Sequence, residues 1–306
     1  MKYLYGLLCV FTFSYSFSND YVINSFDNHS IHGTLLESAD SNSVLSIIIS
    51  GSGPADRDGN STYIKSDYLK MLAEGLFENG ISSYRYDKRG VGNSIAKIKS
   101  GDQVIFSDFI NDAISIINHF RGTNKFKKVV VIGHSEGALI GMIASRLIAD
   151  SFISIAGAGE DYLTLIQRQL SNRAPFVKSM SDSIIEQLRN NKIVDTVSPL
   201  MNNLFNPANQ RFLIDANRYK PVEEISKLDI PVLIVQGTND IQIEVTDAQM
   251  LDEAALKSRL EIIKGMNHVF RQASENYLLN MQTYGNPELP IDNSLVNLIV
   301  DFLNED

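Results

Sequence analysis

The sequence predicts an α/β protein with a mostly parallel sheet that helices cover on both sides. Three observations lead to this fold class. Continuous β-branched runs at 47–49 and 129–132 are typical of strands buried on both faces, as in parallel sheets. Such runs alternate along the chain with stretches of helical periodicity. The 306 residues are 44% apolar and 21% charged, which is an ordinary globular composition.

Each element follows from its apolar spacing and from the polar or glycine residues that bound it. The patterns predict strands at 31–37, 44–50, 81–86, 128–132, 152–156, 230–235 and 259–263. They predict helices at 63–79, 106–120, 138–149, 246–255 and 294–303. The polar turn 38–43 is expected to join the first two strands into an N-terminal hairpin.

One long stretch, 157–228, interrupts this alternation. It contains no convincing strand, but helical patterns occur at 162–170, 183–188 and 212–216. Long segments inside a compact domain are usually functional or fold separately. We therefore predict a helical lid at 157–228, inserted between two core segments at 19–156 and 229–306. A plain helical subdomain that caps a hydrophobic edge is the alternative.

Residues 1–18 have the layout of a secretory signal peptide. Lys2 precedes an almost uncharged apolar run, and Ser16 and Ser18 place small residues before a cut at Asn19. The run is short for a bilayer span, so a membrane anchor is the weaker alternative, beside a buried N-terminal strand. We expect an exported protein, periplasmic or secreted, without stable membrane insertion after cleavage.

Charge and cysteine content exclude several functions. The net charge is −9 and no basic run occurs, which makes nucleic acid and anionic membranes unlikely partners. Cys9 is the single cysteine, so neither an intrachain disulfide nor a Cys/His zinc site can form. We expect no metal and no cofactor, and a small molecule as the partner; the oligomeric state is not predicted.

The strongest motif is Gly133-His134-Ser135-Glu136-Gly137. It follows the strand at 128–132 and precedes a helix, which is the context that the G-x-S-x-G nucleophile elbow requires. Glycines permit close packing of the strand against the helix, and the helix N-terminus favours negative charge beside the serine. Ser135 is the predicted nucleophile, with a structural turn as the alternative. His134 is expected to be a packed structural side chain.

A nucleophilic serine needs a base and a carboxylate that orients it. Of the five histidines, only His268 follows the last predicted strand, where it can reach over the carboxyl end of the sheet. Asp240 lies just past the preceding strand and is the predicted third member. Glu244 and Asp247 are nearby rivals, but their position at the start of a helix suits N-terminal capping.

The glycine-rich loop at 50–59 follows a buried strand and is expected to complete the site. Acyl transfer needs two backbone N–H groups directed at the oxyanion. We assign them to Ser52, which lies between two glycines, and to Glu136, which follows the nucleophile. A plain turn is the alternative, and a phosphate loop is excluded because the Lys-Ser/Thr ending is missing. Asp56, Arg57 and Asp58 are expected to form an ion-pair brace rather than to contact substrate.

Together these segments resemble the α/β-hydrolase superfamily over nearly the whole mature chain. The segment from Arg89 to Ser94 is similar to the superfamily's R-G-x-G-x-S loop, which is usually structural. The resemblance implies an eight-stranded, mostly parallel sheet with a lid and a cofactor-free Ser–His–Asp hydrolase. Many members carry His-Gly where this chain has Ser50-Gly51, so the substrates of those esterases are not transferred. The glycine-rich loop at 50–59 together with the elbow at 133–137 resembles a subgroup of bacterial hydrolases that are often exported.

The expected activity is hydrolysis of carboxylic esters with small to medium acyl groups, through an acyl-enzyme on Ser135. A serine peptidase or amidase, or a thioesterase, could use the same residues. A non-catalytic binding protein on this scaffold is the remote alternative. The carboxylate of Glu136 either disfavours anionic substrates or pairs with a cation. The predicted lid mixes apolar and polar side chains: Leu163, Leu165, Ile166, Leu170 and Phe176 with Gln167 and Arg168.

Overall fold

A computed structural model describes residues 20–38, 44–95, 103–146, 148–171 and 175–305. Its centre is a sheet of eight strands in the order β1-β2-β4-β3-β5-β6-β7-β8. In chain order the strands are β1 (Asp20–Asn24), β2 (Ser30–Leu36), β3 (Val44–Ile49), β4 (Ser82–Tyr86), β5 (Lys128–His134), β6 (Ser151–Ile155), β7 (Val232–Gly237) and β8 (Ser258–Ile263). The predicted fold class is confirmed.

The parallel part of the sheet runs from β4 to β8, and the antiparallel part is confined to β1 and β2. The prediction that β2 and β3 form a hairpin was wrong, because β4 lies between them. The hairpin that forms joins β2 to β1, a strand the sequence reading missed. A tight turn closes it, with the N–H of Ser25 donating to the carbonyl oxygen of His29 at 2.8 Å and Asn28 at φ 62°.

Helices cover both faces of the sheet. They are α1 (Tyr68–Glu78), α2 (Phe106–Thr123), α3 (Glu136–Ser145), α4 (Tyr162–Ser171), α5 (Pro175–Arg189), α6 (Asn202–Phe205), α7 (Pro207–Ala216), α8 (Pro221–Ile225), α9 (Val245–Ala254), α10 (Tyr277–Thr283) and α11 (Asn293–Asn304). The core on one face includes α2, α3, α8 and α9, and the core on the other includes α1 and α11. No helix in the described ranges combines the length and hydrophobicity needed to cross a membrane.

Between β6 and β7, the described residues form helices α4 to α8 and no strand. We call residues 157–228 the helical insertion. Leu163, Ile185, Phe205 and Leu213 form a small apolar core of its own. The insertion is more helical than the sequence indicated, since α5 extends beyond the predicted 183–188 and α6 and α8 were missed. Both short helices begin next to polar or proline residues, which interrupt the apolar periodicity on which prediction depends.

Helices α1 and α3 depart from their predicted boundaries for identifiable reasons. Helix α1 starts at Tyr68 rather than at 63, because the side-chain oxygen of Asn60 binds the N–H groups of Ser66 and Asp67 in a non-helical turn. Helix α3 covers Glu136–Ser145 instead of 138–149, and the backbone becomes extended at Arg146. The predicted signal peptide and most of the turn at 38–43 lie outside the described residues.

Candidate active site

Ser135 occupies the sharp turn between β5 and α3. Its backbone has φ 55° and ψ −118°, a strained conformation for a residue with a side chain. The flanking glycines permit a very close approach. A Cβ on Gly133 would lie 2.3 Å from the carbonyl oxygen of Gly137, and one on Gly137 would lie 2.4 Å from that of Ile49. The structure therefore contains the strand–turn–helix elbow that the motif predicts.

The carboxylate of Asp240 and the imidazole of His268 are in direct contact. Oδ2 of Asp240 lies 2.7 Å from Nδ1 of His268, and both side chains are buried. The N–H groups of Gln242 and Ile243 donate to Oδ1 at 2.8 and 3.0 Å, and the amide of Gln236 donates to Oδ2 at 3.2 Å. A carboxylate acceptor at Nδ1 favours the tautomer with its proton there, which leaves Nε2 as a proton acceptor.

His134 connects this pair to the elbow. Its Nε2 donates to the carbonyl oxygen of His268 at 2.9 Å, and its Nδ1 accepts from the hydroxyl of Tyr68 at 3.0 Å. The ring centroids of the two histidines are 4.6 Å apart. Burial lowers the pKa of His134 well below its ordinary value, and repulsion by His268 lowers it further. A neutral His134 thus holds the backbone of His268 beside the elbow.

A cavity of about 780 Å³ lies between the carboxyl edge of the sheet and the helical insertion. Its wall includes Ser135, whose hydroxyl has no hydrogen-bond partner within the described ranges. His268 is buried, with its ring next to that of His134 in the elbow. Catalytic hydrogen bonds are often long without substrate and tighten in the complex. The volume is in the range typical of small-molecule sites.

Ser52 and Glu136 line the cavity together with Ser135. Neither backbone N–H donates to another group in the part of the chain that the structure describes. Glu136 is the first residue of α3, where helical N–H groups have no partner within the helix. Gly51 brings the loop close, since a Cβ there would lie 3.2 Å from Cβ of Ser135. Two free donors therefore lie next to the predicted nucleophile.

A buried ion pair in the cavity wall was missed by the sequence reading. Nζ of Lys88 lies 2.5 Å from Oε1 of Glu136, and the hydroxyl of Tyr162 donates to Oε2 at 2.6 Å. Burial raises the pKa of Tyr162, and the Glu136 carboxylate raises it further, so the hydroxyl remains a donor. The Glu136 carboxylate is thus paired with a cation. Lys88 lies between the charged residues Asp87 and Arg89, where nothing in the sequence marks it as buried.

The carboxylates of Glu244 and Asp247, the alternatives to Asp240, lie at the start of α9. The N–H of Glu244 donates to Oδ2 of Asp247 at 2.9 Å, and the N–H of Asp247 donates to the carbonyl oxygen of Glu244 at 3.1 Å. Asp247 also pairs with Arg168 of the helical insertion at 2.6 Å and accepts the N–H of Gly159 at 3.0 Å. The carboxylate of Asp247 therefore caps α9, as the sequence predicted, whereas the side chain of Glu244 makes no cap hydrogen bond in the described part of the chain.

Residues 56–58 of the glycine-rich loop form the expected brace. Arg57 pairs with Asp87 at 2.7 Å, and Asp58 pairs with Arg85 at 2.6 Å. Oδ1 of Asp56 accepts the N–H of Asp58 at 2.9 Å, which closes the turn. These contacts tie the loop to the end of β4.

The side chains expected to line a lid divide into two groups. Leu165, Ile166 and Leu170 do line the cavity. Leu163 is buried in the core of the insertion, and Phe176 is 60% exposed. The polar residues also face elsewhere, since Gln167 binds Asp182 and Arg168 binds Asp247. The cavity wall is consequently more apolar than the sequence of the insertion suggested.

No group of three or more His, Cys, Asp or Glu side chains within the described ranges could hold a metal ion. The polar groups at the site are instead a hydroxyl, an imidazole–carboxylate pair, two free N–H donors and one ion pair. Such an arrangement can deliver a nucleophile, move a proton and stabilise an oxyanion.

Sequence comparison gives two matches. The family described as serine aminopeptidase, S33, matches residues 65–271, which contain Ser135, Asp240 and His268. Esterase EstD of Thermotoga maritima is 26% identical over 231 residues, which cover 73% of this chain and 53% of that protein. The chain thus spans about half the length of the curated relative that it matches.

Structural comparison supports the fold. Est1E from Butyrivibrio proteoclasticus is 16% identical with a TM-score of 0.60, and the match covers 94% of this chain and 100% of that one. Esterase EaEST from Exiguobacterium antarcticum is 15% identical with a TM-score of 0.57, at coverages of 94% and 100%. At these identities the likeness concerns the fold alone.

Proposed function

Because this chain belongs to the serine aminopeptidase (S33) family of α/β-hydrolases, we propose that it is a serine hydrolase that cleaves carboxylic esters of small to medium acyl groups. The observation that carries the proposal is the elbow serine, at the wall of a cavity, beside a buried His268–Asp240 pair and two free N–H donors. The 26% identity with a protein named as an esterase supports the same class.

In the proposed reaction, Oγ of Ser135 attacks the ester carbonyl carbon while Nε2 of His268 accepts the hydroxyl proton. Asp240 accepts the Nδ1 hydrogen bond and stabilises the imidazolium that forms. The N–H groups of Ser52 and Glu136 bind the oxyanion. The bond to the leaving alcohol then breaks, and the alcohol takes its proton from His268. Water attacks the acyl-enzyme by the same steps, which frees the acid and restores Ser135.

The cavity favours an uncharged acyl group. Apolar side chains of the insertion form much of its wall, among them Ile166, Phe212 and Leu213. Two carboxylates line it within the described ranges, and each is paired: Glu136 with Lys88, and Glu160 with Arg168 at 3.2 Å. The helical insertion acts here as a lid over the acyl group, which is our proposal for residues 157–228.

Aminopeptidase activity is the second candidate, because the family description names it. An amino terminus requires an unpaired negative charge at a fixed place in the site. Both described carboxylates in the cavity wall already have cationic partners, which favours an ester over a peptide.

A chromogenic ester series of increasing acyl length tests the proposal, alongside an amino-acid anilide and a thioester. We expect ester turnover with an optimum at short to medium acyl chains, and loss of that turnover in Ser135→Ala. Anilide cleavage alone would assign a peptidase. Absence of turnover on every substrate would favour a ligand-binding role.

We also propose that residues 1–18 are a cleaved signal peptide and that the enzyme is exported. The motif at Ser16 and Ser18 supports this. N-terminal sequencing of the protein recovered outside the cytoplasm should begin near Asn19, and an intact Met1 would contradict export by this route.

A further inference from the structure

Lys88 is nearly inaccessible, and each side of its ammonium group is engaged. Its side chain is 2% exposed. Nζ donates to the carbonyl oxygen of Gly51 at 2.6 Å and to Oε1 of Glu136 at 2.5 Å. The ring of Phe109 lies 5.1 Å from Nζ on a further side. Two of its three N–H donors are used by these oxygens and an aromatic ring lies beside the ammonium group, so an indirect role is the one to consider.

The two acceptors of Lys88 belong to the two halves of the proposed oxyanion site. The carbonyl of Gly51 and the N–H of Ser52 are parts of one planar peptide group. In a trans peptide these two groups point in opposite directions, and the described chain contains no cis peptide bond. A cation that holds the Gly51 oxygen on one side therefore directs the Ser52 N–H to the other side. A hydrogen bond to the carbonyl also polarises the amide and strengthens its N–H as a donor.

The second acceptor of Lys88, the carboxylate of Glu136, belongs to the other half of the proposed oxyanion site. Glu136 supplies the second proposed N–H, and its carboxylate is held between Lys88 and Tyr162 of the insertion. One ammonium group thus bridges the loop after β3 and the first residue of α3. Its distances to both are those of charge-assisted hydrogen bonds, which are the strong ones.

We propose that Lys88 is a positioning residue for acyl transfer: it holds the Gly51–Ser52 peptide and Glu136 in register, so that both N–H groups meet the same oxyanion. This inference rests on the proposed function, because it assigns Lys88 to that reaction. Lys88 itself touches neither the substrate nor the reacting atoms.

The test compares Lys88→Met/Glu136→Gln with the wild type and with Glu136→Gln alone. The double variant removes both charges, so no unpaired ion remains buried. We expect its kcat for esters to fall about 10- to 100-fold, a smaller loss than the deletion of an oxyanion donor, with KM changed less than about threefold. The kcat of Glu136→Gln should fall less, since Lys88 can still donate to the carbonyl oxygen of Gly51.

A surface pair provides the matched control. Lys125→Met/Glu37→Gln makes the same chemical change at an exposed contact of 2.6 Å, and its kcat should equal that of the wild type. Thermal unfolding of each variant shows whether the protein is folded. A double variant that is folded and has wild-type kcat would overturn the inference, and so would Glu136→Gln losing as much as the double variant.

A fluorophosphonate probe separates this inference from the proposed function. Oγ of Ser135 displaces fluoride from phosphorus, so the O–P bond forms as the P–F bond breaks, and His268 takes the proton. The reaction needs the oxyanion donors but no particular substrate. Slower labelling of the double variant would support the role of Lys88 even where no ester is cleaved. Absence of labelling in the wild type would overturn both proposals.

Discussion

At the scale of single residues, the site depends on how fully Asp240 is constrained. Three donors besides His268 hold its carboxylate: the amide of Gln236 and the N–H groups of Gln242 and Ile243. All three lie within four positions of Asp240, so the end of β7 and the short loop after it determine the direction of the carboxylate. That direction, in turn, selects the tautomer of His268.

Asp240→Asn is expected to lower kcat about 10³- to 10⁴-fold with little change in fold, because an amide donor at Nδ1 favours the wrong tautomer. Ester kinetics on the purified variant measure this. Glu244→Gln is the matched control, since that carboxylate is exposed at the start of α9 and makes no cap hydrogen bond to the described backbone of that helix. Equal losses in the two variants would show that Asp240 is not the orienting carboxylate.

At the scale of elements, the elbow requires that α3 pack almost directly on β3. Gly137 is where this approach is closest, since a Cβ would meet the carbonyl oxygens of Ile49 and Ser50 at 2.4 and 2.7 Å. Backbone atoms cannot move aside as a flexible side chain can. The position of Ser135 therefore depends on a helix–strand contact as much as on its own strained dihedral angles.

Gly137→Ala should lower the free energy of unfolding by about 3 kcal/mol, because the added methyl group overpacks this contact. Gly122→Ala, in helix α2 with open space around its Cβ, should be neutral or stabilising by about 0.5 to 1 kcal/mol. Urea unfolding of both variants gives the comparison. Similar effects at the two sites would contradict the close contact.

The helical insertion is joined to the core by a second kind of contact. Arg168 of α4 pairs with Asp247 at 2.6 Å and with Glu160 at 3.2 Å. Asp247 is also the capping residue of α9, and it is fully buried. This ion pair joins the helical insertion to α9, and it thus helps to fix the position of the insertion relative to the cavity.

Arg168→Met should loosen the insertion, since it leaves the carboxylate of Asp247 buried without its cation, at a cost of about 1–3 kcal/mol. We expect faster limited proteolysis within 157–228 and a higher KM for esters, with kcat changed less. Arg189→Met removes an arginine that hydrogen-bonds Thr164 and Gln167 of α4 within the insertion, and it should leave the proteolysis rate and KM unchanged. A cleavage rate of Arg168→Met equal to that of the wild type would contradict the proposed role of the Arg168–Asp247 ion pair.

At the scale of the whole molecule, folding buries a histidine and disfavours its protonation. His134 lies among Tyr68, Phe270, His268 and Lys88. Burial, with repulsion by His268 and Lys88, holds its pKa well below the ordinary value of 6.5. The unfolded chain therefore binds a proton near that pH while the folded chain does not, and stability decreases as the pH falls below 6.5.

The expected slope from His134 is at most about 1.4 kcal/mol for each pH unit below 6.5. Urea unfolding between pH 5 and 7 measures it. His134→Gln retains a donor and an acceptor but cannot be protonated, so its curve should be flatter than that of the wild type in this window. Parallel curves would show that another group causes the acid sensitivity.

The sequence by itself determined the alternation of strands and helices and the chemistry-bearing loops at their carboxyl ends. Local patterns suffice there: β-branched runs, the elbow around Ser135, and Asp240 and His268 each just after a strand. These signals depend only on residues that are close together in the sequence, so they can be recognised before the fold is known.

Only the tertiary structure decided which elements are adjacent and which charges are buried. It placed β4 between β2 and β3 and brought Lys88, Glu136 and Tyr162 together across long separations in the chain. A lysine in a charged loop looks solvated in sequence, because burial and ion pairing arise from packing between distant segments. For the same reason the contact of His134 with the backbone of His268 became visible only in the folded protein.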